Sequence, residues 1–221
     1  MVTNRQKELG VCVANIGAST TSLVVFEEGD VAHTVVLPIG GDHVTSDIAI
    51  GLRTSLEVAE EVKLRFATCA ADDVSKKEEI HLGELGAPEG EVGSRRFVAD
   101  IAKARMEEIF EMIDKELKKI ERSGMLPAGM ILTGGGAKLP STVDVAKRAL
   151  RLPATIGTPI GVSSVIDRAQ DPAMSTAIGL VLWGKNIRGS TEHGMGKFFS
   201  KLKGLKKVSS GLKKIFQSLR P

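Results

Sequence analysis

Three short stretches place residue types at spacings suited to phosphate and nucleoside chemistry. The first is NIGASTTS, Asn15 to Ser22. Gly17, Ala18 and Ser19 let the backbone approach an anion, and successive turn N–H groups can point at phosphate oxygens. The hydroxyls of Thr20, Thr21 and Ser22 add donors. The second is LTGGGAKL, Leu132 to Leu139. Gly134, Gly135, Gly136 and Ala137 follow an apolar run directly, so no bulky side chain stands where a flat base or a phosphate would lie against the backbone. Its spacing matches neither the P-loop nor the dinucleotide turn. The third is AEEVK, Ala59 to Lys63. Glu60 and Lys63 are three apart and share a helical face, where they can reach ribose hydroxyls or a base edge. Each stretch also has a plain structural reading: a tight hairpin, a strand-to-helix connection, a solvated ion pair. The residues alone leave both readings open.

A fourth stretch suits a different chemistry. From His193 to Pro221 there are eight Lys or Arg and no Asp or Glu, whereas the other 192 residues carry 22 basic and 27 acidic side chains. In GLKKIFQSLRP, Leu212, Ile215, Phe216 and Leu219 fall on one helical face, with Lys213, Lys214 and Arg220 on the other. Phe198, Phe199 and Leu202 repeat the pattern upstream among lysines. A cationic amphipathic helix of this kind lies in an anionic membrane interface. Each basic residue contributes about 1 kcal/mol there, and each buried apolar side chain about 1.5–3 kcal/mol. Docking of this helix on the body and a basic nucleic-acid arm are the alternatives. The Phe, Leu and Ile content speaks against nucleic acid.

Other chemistries find less support. The four histidines, His33, His43, His81 and His193, have no ligand spacing, so no metal site is expected from them. Cys12 and Cys69 sit among apolar or small residues and read as buried thiols in a reducing compartment. No apolar run reaches membrane-spanning length, and MVTNRQKELG lacks the apolar core of a signal peptide.

The elements that must position these residues read as follows. Val11 to Asn15, Thr20 to Phe26 and Val31 to Leu37 are β-branched and short, giving a three-stranded antiparallel meander turned at EEGD. Val44, Ile48 and Leu52 mark a helix that Asp42 would cap. Ser55 would cap the next, with Leu56, Val58, Ala59, Val62 and Phe66 as its apolar stripe. A long helix is expected over about Val98 to Arg122, a buried strand before the glycine run, a helix capped by Ser141, and a helix with Pro172 in its first turn. The polar, Gly-rich stretch over Ala70 to Gly93 suggests short strands such as EEIHL. The expected organisation has five parts. Residues 1–10 are disordered or truncated. Residues 11–52 with 125–186 form one α/β subdomain, and 53–124 are an inserted smaller one. Residues 187–196 are a linker and 197–221 the amphipathic tail.

The order of these pieces resembles the bacterial cell-division protein FtsA, an actin homologue. The resemblance rests on IGGDHVTSDIAIGL, LTGGGAKLP and the basic tail, and covers Val11 to Pro221. It implies the second half of an actin-like fold, with a mixed sheet, and an ATP site with Mg²⁺. By resemblance, Gly17, Ala18, Ser19 and Thr20 would be the second phosphate loop. Glu60 and Lys63 would contact the nucleoside, and Gly134, Gly135, Gly136 and Ala137 would line the adenine site. The inserted subdomain would receive the C-terminal peptide of FtsZ, with Arg95, Arg96 and Arg105 as its contacts. The tail would hold the protein on the cytoplasmic face of the plasma membrane at the division site, and self-association into actin-like filaments would follow. The phosphate hairpin departs from the family pattern D-I-G-[AG]-G-T-T-D, which argues against hydrolysis. Asn15 and Ser22 stand at carboxylate positions and Ser19 at a glycine, and a neutral amide does not replace a carboxylate in positioning Mg²⁺. Two other readings stay open at this point: an actin-type ATPase subunit that requires a separate first half, and a PilM-like scaffold of type IV pilus assembly.

Overall fold

In a computed structural model, residues 1–160 and 167–185 are described. The chain divides into two units, residues Met1–Thr176 and Ala177–Pro221. The first carries nearly all the described structure.

Its centre is a five-stranded mixed sheet in the order β3-β2-β1-β6-β7. Strands β1 (Val11–Ile16), β2 (Thr21–Glu27) and β3 (Asp30–Leu37) form the expected antiparallel meander. The β2–β3 turn is two residues long. Glu28 and Gly29 both have positive φ (52° and 86°), which matches the twist of the flanking strands. Strand β6 (Met130–Thr133) adds to β1 in parallel, and β7 (Ala154–Ile156) to β6. A parallel neighbour needs a long crossover, and the chain between β1 and β6 supplies it. That crossover includes helices α2 (Gly41–Leu52), α3 (Leu56–Phe66) and the 25-residue α4 (Arg95–Lys119). Strands β4 (Glu79–His81) and β5 (Val92–Ser94) form a separate antiparallel pair, and α5 (Thr142–Leu150) joins β6 to β7.

Side-chain period sorts the core. Cys12, Ala14 and Ile16 of β1 point into a cluster with Leu23, Val25, Ile48, Ile109, Phe110, Ile113, Leu117 and Leu132. Their neighbours Val11 and Val13 face the other way, packing with Ile131, Val24, Phe26, Met1 and Val2. Strand β1 is therefore buried on both faces, because side chains pack against it from each side of the sheet.

Several local expectations change. Residues 1–10 hold a helix, α1 (Asn4–Leu9), closed by a capping box between Thr3 and Gln6. The N-cap of α2 is Gly40, not Asp42. Ser141 occupies the N-cap of α5 in a left-handed conformation (φ 64°), and its side chain makes no capping bond. Leu56 is exposed, because the buried stripe of α3 is Val58, Ala59 and Val62. Ser55 does cap α3, accepting from the Val58 N–H. The long helix begins three residues earlier than expected, capped by Ser94.

A last helix, α6, covers residues 175–185 after a single 3₁₀ turn at Pro172–Met174. Within the second unit, Leu180, Val181, Leu182 and Trp183 on this helix are exposed. No described helix is long and apolar enough to cross a membrane. The linker over 187–196 and the membrane residues Phe198 to Arg220 lie outside the described residues.

Candidate functional site

The hairpin loop between β1 and β2 is fixed by backbone bonds, not by side chains. The Gly17 N–H donates to the Thr20 carbonyl at 2.8 Å, closing the loop. The first N–H groups of α2 then donate into it, Gly41 to the Gly17 carbonyl at 2.9 Å and Asp42 to the Ala18 carbonyl at 2.8 Å. This satisfies two of the donors that a helix N-terminus otherwise leaves open, and it explains why Asp42 is not needed as a cap. The Asp42 carboxylate instead accepts from Ser19 Oγ at 3.2 Å. Contact this close leaves no room for a side chain at Gly40, where a Cβ would stand 2.5 Å from the Ala18 carbonyl oxygen. Among the described residues, no acceptor meets the N–H groups of Ala18, Ser19 and Thr20, and all three residues are exposed.

The three glycines after β6 differ in what they do. Gly134 has φ 88°, and a Cβ there would collide with Asn15 Oδ1 and the Ile16 carbonyl oxygen. At Gly136 a Cβ would stand 2.5 Å from Ile16 Cγ2. Both are glycine because the turn lies directly on β1. Gly135 has ordinary right-handed helical angles, and nothing lies within 4 Å of where its Cβ would be. Packing does not require glycine at that position, and its missing side chain leaves space open. The turn is also held from its far side. The Gly134 N–H and Thr133 Oγ1 both donate to the Pro172 carbonyl, and Thr133 pairs with Ser175 at 2.8 Å.

Between hairpin and glycine turn lies a cleft of about 500 Å³, within the range of small-molecule sites. Gly17, Ala18, Glu60, Lys63, Gly135 and Gly136 line it, so six of the ten expected site residues meet there. Ser19 and Thr20 stand on the loop, and Gly134 and Ala137 lie beneath the surface that faces the cleft. Gly41, Asp42, Lys138, Leu139, Pro140 and Met106 also line it. The Gly40–Gly41 pair at the start of α2 was a sequence signal for Gly41 and Asp42, and the lysine after the glycine run for Lys138. A second hollow of about 560 Å³ runs along α4 and α5, lined mainly by long charged side chains such as Glu107, Lys118 and Arg148. It brings no glycine turn to its walls, so we place the candidate site at the first.

Glu60 and Lys63 form one network across the cleft. Lys63 Nζ lies 2.6 Å from Glu60 Oε2 and donates to Thr45 Oγ1 at 2.8 Å and the Gly41 carbonyl at 3.3 Å. Thr45 Oγ1 donates to Glu60 Oε2. Partial burial works against ionisation of Glu60, but hydrogen bonds from Lys63 and Thr45, with the Lys63 charge, hold its carboxyl below the ordinary value. The pair ties α3 to the first turns of α2 and borders the cleft, with Lys63 the more buried partner.

The arrangement can hold an anion on the loop amides and a polar heterocycle or sugar against Glu60 and the glycine turn. The family model described as "Cell division protein FtsA" matches residues 12–179. The chain belongs to the FtsA family. It is 37% identical over 184 residues to the FtsA of Pseudomonas aeruginosa, covering 83% of this chain and 44% of that protein. With the FtsA of Escherichia coli K12 it shares 32% over 225 residues, covering 98% and 54%. The chain thus spans about half the length of the curated FtsA relatives it matches. Among solved structures, MreB5 of Spiroplasma citri bound to ADP superposes with a TM-score of 0.67 at 19% identity, covering 86% of this chain and 57% of that one. The PilM–PilN type IV pilus biogenesis complex gives 0.61 at 21%, covering 82% and 47%. Ta0583, an archaeal actin homolog, gives 0.53 at 15%, covering 79% and 49%. The fold is actin-like, as the resemblance implied.

The three arginines expected to bind the FtsZ peptide do not form one patch. Arg95 pairs with Glu78 at 2.5 Å and donates to the Phe66 carbonyl. Arg96 pairs with Asp72 at 2.8 Å. Arg105 pairs with Asp47 through both nitrogens, at 2.6 and 2.9 Å, and with Glu108. Nine residues along a helix turn the direction by about 180°, so Arg96 and Arg105 project from opposite sides of α4.

Proposed function

We propose that this chain acts in bacterial cell division as an FtsA-type adaptor, tethering FtsZ filaments to the inner face of the plasma membrane at the septum. The observation that carries this reading is the FtsA match running through residues 12–179, hairpin, cleft and glycine turn included. In the reading, residues 11–52 and 125–186 form the subdomain that carries the hairpin and the glycine turn of the cleft. Residues 53–124 form the inserted subdomain, which binds the acidic FtsZ C-terminal peptide around Arg95 and Arg96. Residues 187–196 are a linker, and the tail over 197–221 binds anionic lipid through Phe198, Phe199, Leu202, Leu212, Ile215, Phe216 and Leu219. The acidic body and basic tail support the division of labour.

The cleft binds an adenine nucleotide in this reading, with phosphate on the N–H groups of Ala18, Ser19 and Thr20, the ribose at Glu60 and Lys63, and the base over Gly135 and Gly136. Support comes from the open loop amides and from the glycine that packing does not require. Nucleotide-linked self-association into filaments belongs to the same proposal. Co-sedimentation with anionic liposomes, comparing the whole chain with one ending at Gly196, tests the tether. Lipid binding by the whole chain alone supports it, and equal binding by both ends it. Fluorescence anisotropy of a labelled FtsZ C-terminal peptide tests the partner, with no binding as the failing result.

A further inference from the structure

An ATP site of this family implies a Mg²⁺ ion, which binds through one or two carboxylates together with substrate phosphates. The side chains beside the phosphate hairpin do not fit that demand. Asn15 is neutral, and its Nδ2 donates to Thr176 Oγ1 at 2.7 Å. Its Oδ1 faces the Gly134 backbone so closely that not even a methyl group fits between them. Both carboxylates that line the cleft are already engaged, Asp42 by Ser19 and Glu60 by Lys63 and Thr45. Among the described residues, no three His, Cys, Asp or Glu side chains converge as a metal site. The hairpin and cleft do offer groups suited to an anion. The Ala18, Ser19 and Thr20 amides are free of protein acceptors among the described residues, and Lys63, paired with Glu60, and Lys138, paired with Asp171 at 2.8 Å, bring further N–H donors to the same cleft.

We infer that this cleft holds a nucleoside diphosphate through backbone amides and lysine charge without a divalent cation, and that Asn15 is a positioning residue tying the hairpin to Thr176. The inference rests on the nucleotide reading above. Asn15 reaches 161 residues along the chain to the first turn of α6, and it also bounds the space that makes glycine necessary at 134. An aspartate at position 15 would accept from the Thr176 hydroxyl instead of donating to it, and would place a charge beside the loop.

Isothermal titration of ADP into the full chain, once in excess MgCl₂ and once in excess EDTA, tests this. The two affinities are expected to agree within about threefold. Binding more than about tenfold tighter with Mg²⁺ overturns the inference while leaving the nucleotide reading intact. Absence of binding in both buffers overturns the nucleotide reading and the inference with it. The variant Asn15→Asp is expected to bind ADP more weakly in EDTA and to recover in Mg²⁺, and equal affinity in the two buffers for this variant removes Asn15 from its assigned role. The wild-type comparison decides the metal question even where that variant does not fold.

Discussion

Gly134 lies against Asn15. At φ 88° its backbone passes so close to the amide that an added Cβ would collide with Oδ1 and with the Ile16 carbonyl oxygen. Gly135, the next residue, has helical angles and open space around its Cβ position. The two glycines should therefore respond oppositely to the same change. Gly134→Ala is expected to cost at least about 2 kcal/mol, from the left-handed backbone and the collision together. Gly135→Ala is expected to leave stability unchanged or to raise it by about 0.5 kcal/mol, since alanine restricts the unfolded chain. Urea unfolding of both variants measures this. Equal destabilisation would mean that the glycine run is wholly structural.

Glu60 gives a pH prediction whose sign is fixed. Its folded-state pKa lies below the ordinary value despite the opposing effect of burial, because Lys63 and Thr45 bind its ionised form. A depressed carboxyl pKa contributes stability above the unfolded pKa, about 4.3, and loses it as pH falls through the folded value. Glu60→Gln should therefore be less stable than wild type at neutral pH, and the gap should close in acid. The Glu60 side chain is 41% exposed, so solvent screening keeps the gap small. Chemical denaturation from pH 7 down to about pH 3 follows it, and a gap that widens in acid contradicts the network.

Both cysteines should be chemically silent in the native chain. Cys12 and Cys69 are buried, and burial pushes the Cys12 thiol far up and the Cys69 thiol up to about 11. The thiolate is the reactive form, so a disulfide reagent at mildly alkaline pH should modify neither until the chain is unfolded. Rapid reaction of one equivalent under native conditions would place one of them at the surface.

The elements most legible in the sequence were those set by local pattern. The meander was readable because its segments are short and rich in β-branched residues and EEGD supplies the two-residue turn. The start of α3 was readable because Ser55 precedes an apolar stripe. The TNRQ stretch carries the capping box of α1, a signal present in the sequence itself. Other features depended on contacts between distant residues. Asp42 resembles a cap, but the helix starts one residue before it, where the Gly41 and Asp42 N–H groups donate to the Gly17 and Ala18 carbonyls, more than twenty residues back in the chain. The separate roles of Gly134, Gly135 and Gly136 emerge only when the turn is laid on β1, and the Asn15–Thr176 bond spans nearly the whole described chain. The hairpin, glycine run and Glu60–Lys63 pair could be named from sequence, and their convergence on one cleft needed the fold.

Arg105 and Asp47 give the last prediction, and it bears on which arginines would serve the proposed FtsZ peptide. Asp47 lies on α2 and Arg105 ten residues into α4, and the paired nitrogens meet both carboxylate oxygens at 2.6 and 2.9 Å. The Asp47 bond keeps the Arg105 guanidinium above its already high ordinary pKa, with burial opposing and Glu108 adding to the effect. Both side chains are less than a third exposed, so the pair is better shielded than an ordinary surface contact. A two-pronged arginine–carboxylate pair between helices fixes their orientation, and lysine does not reproduce it. A double-mutant cycle with Arg105→Ala and Asp47→Ala should therefore return a coupling of about 1 kcal/mol. Arg105→Lys should recover less than half of that. If Arg105 is committed to α2 in this way, its removal should weaken FtsZ-peptide binding no more than the matching loss of Asp47 does, whereas removal of Arg95 or Arg96 should weaken it further. A coupling near zero, together with a selective loss of peptide binding in Arg105→Ala, would return Arg105 to the partner surface.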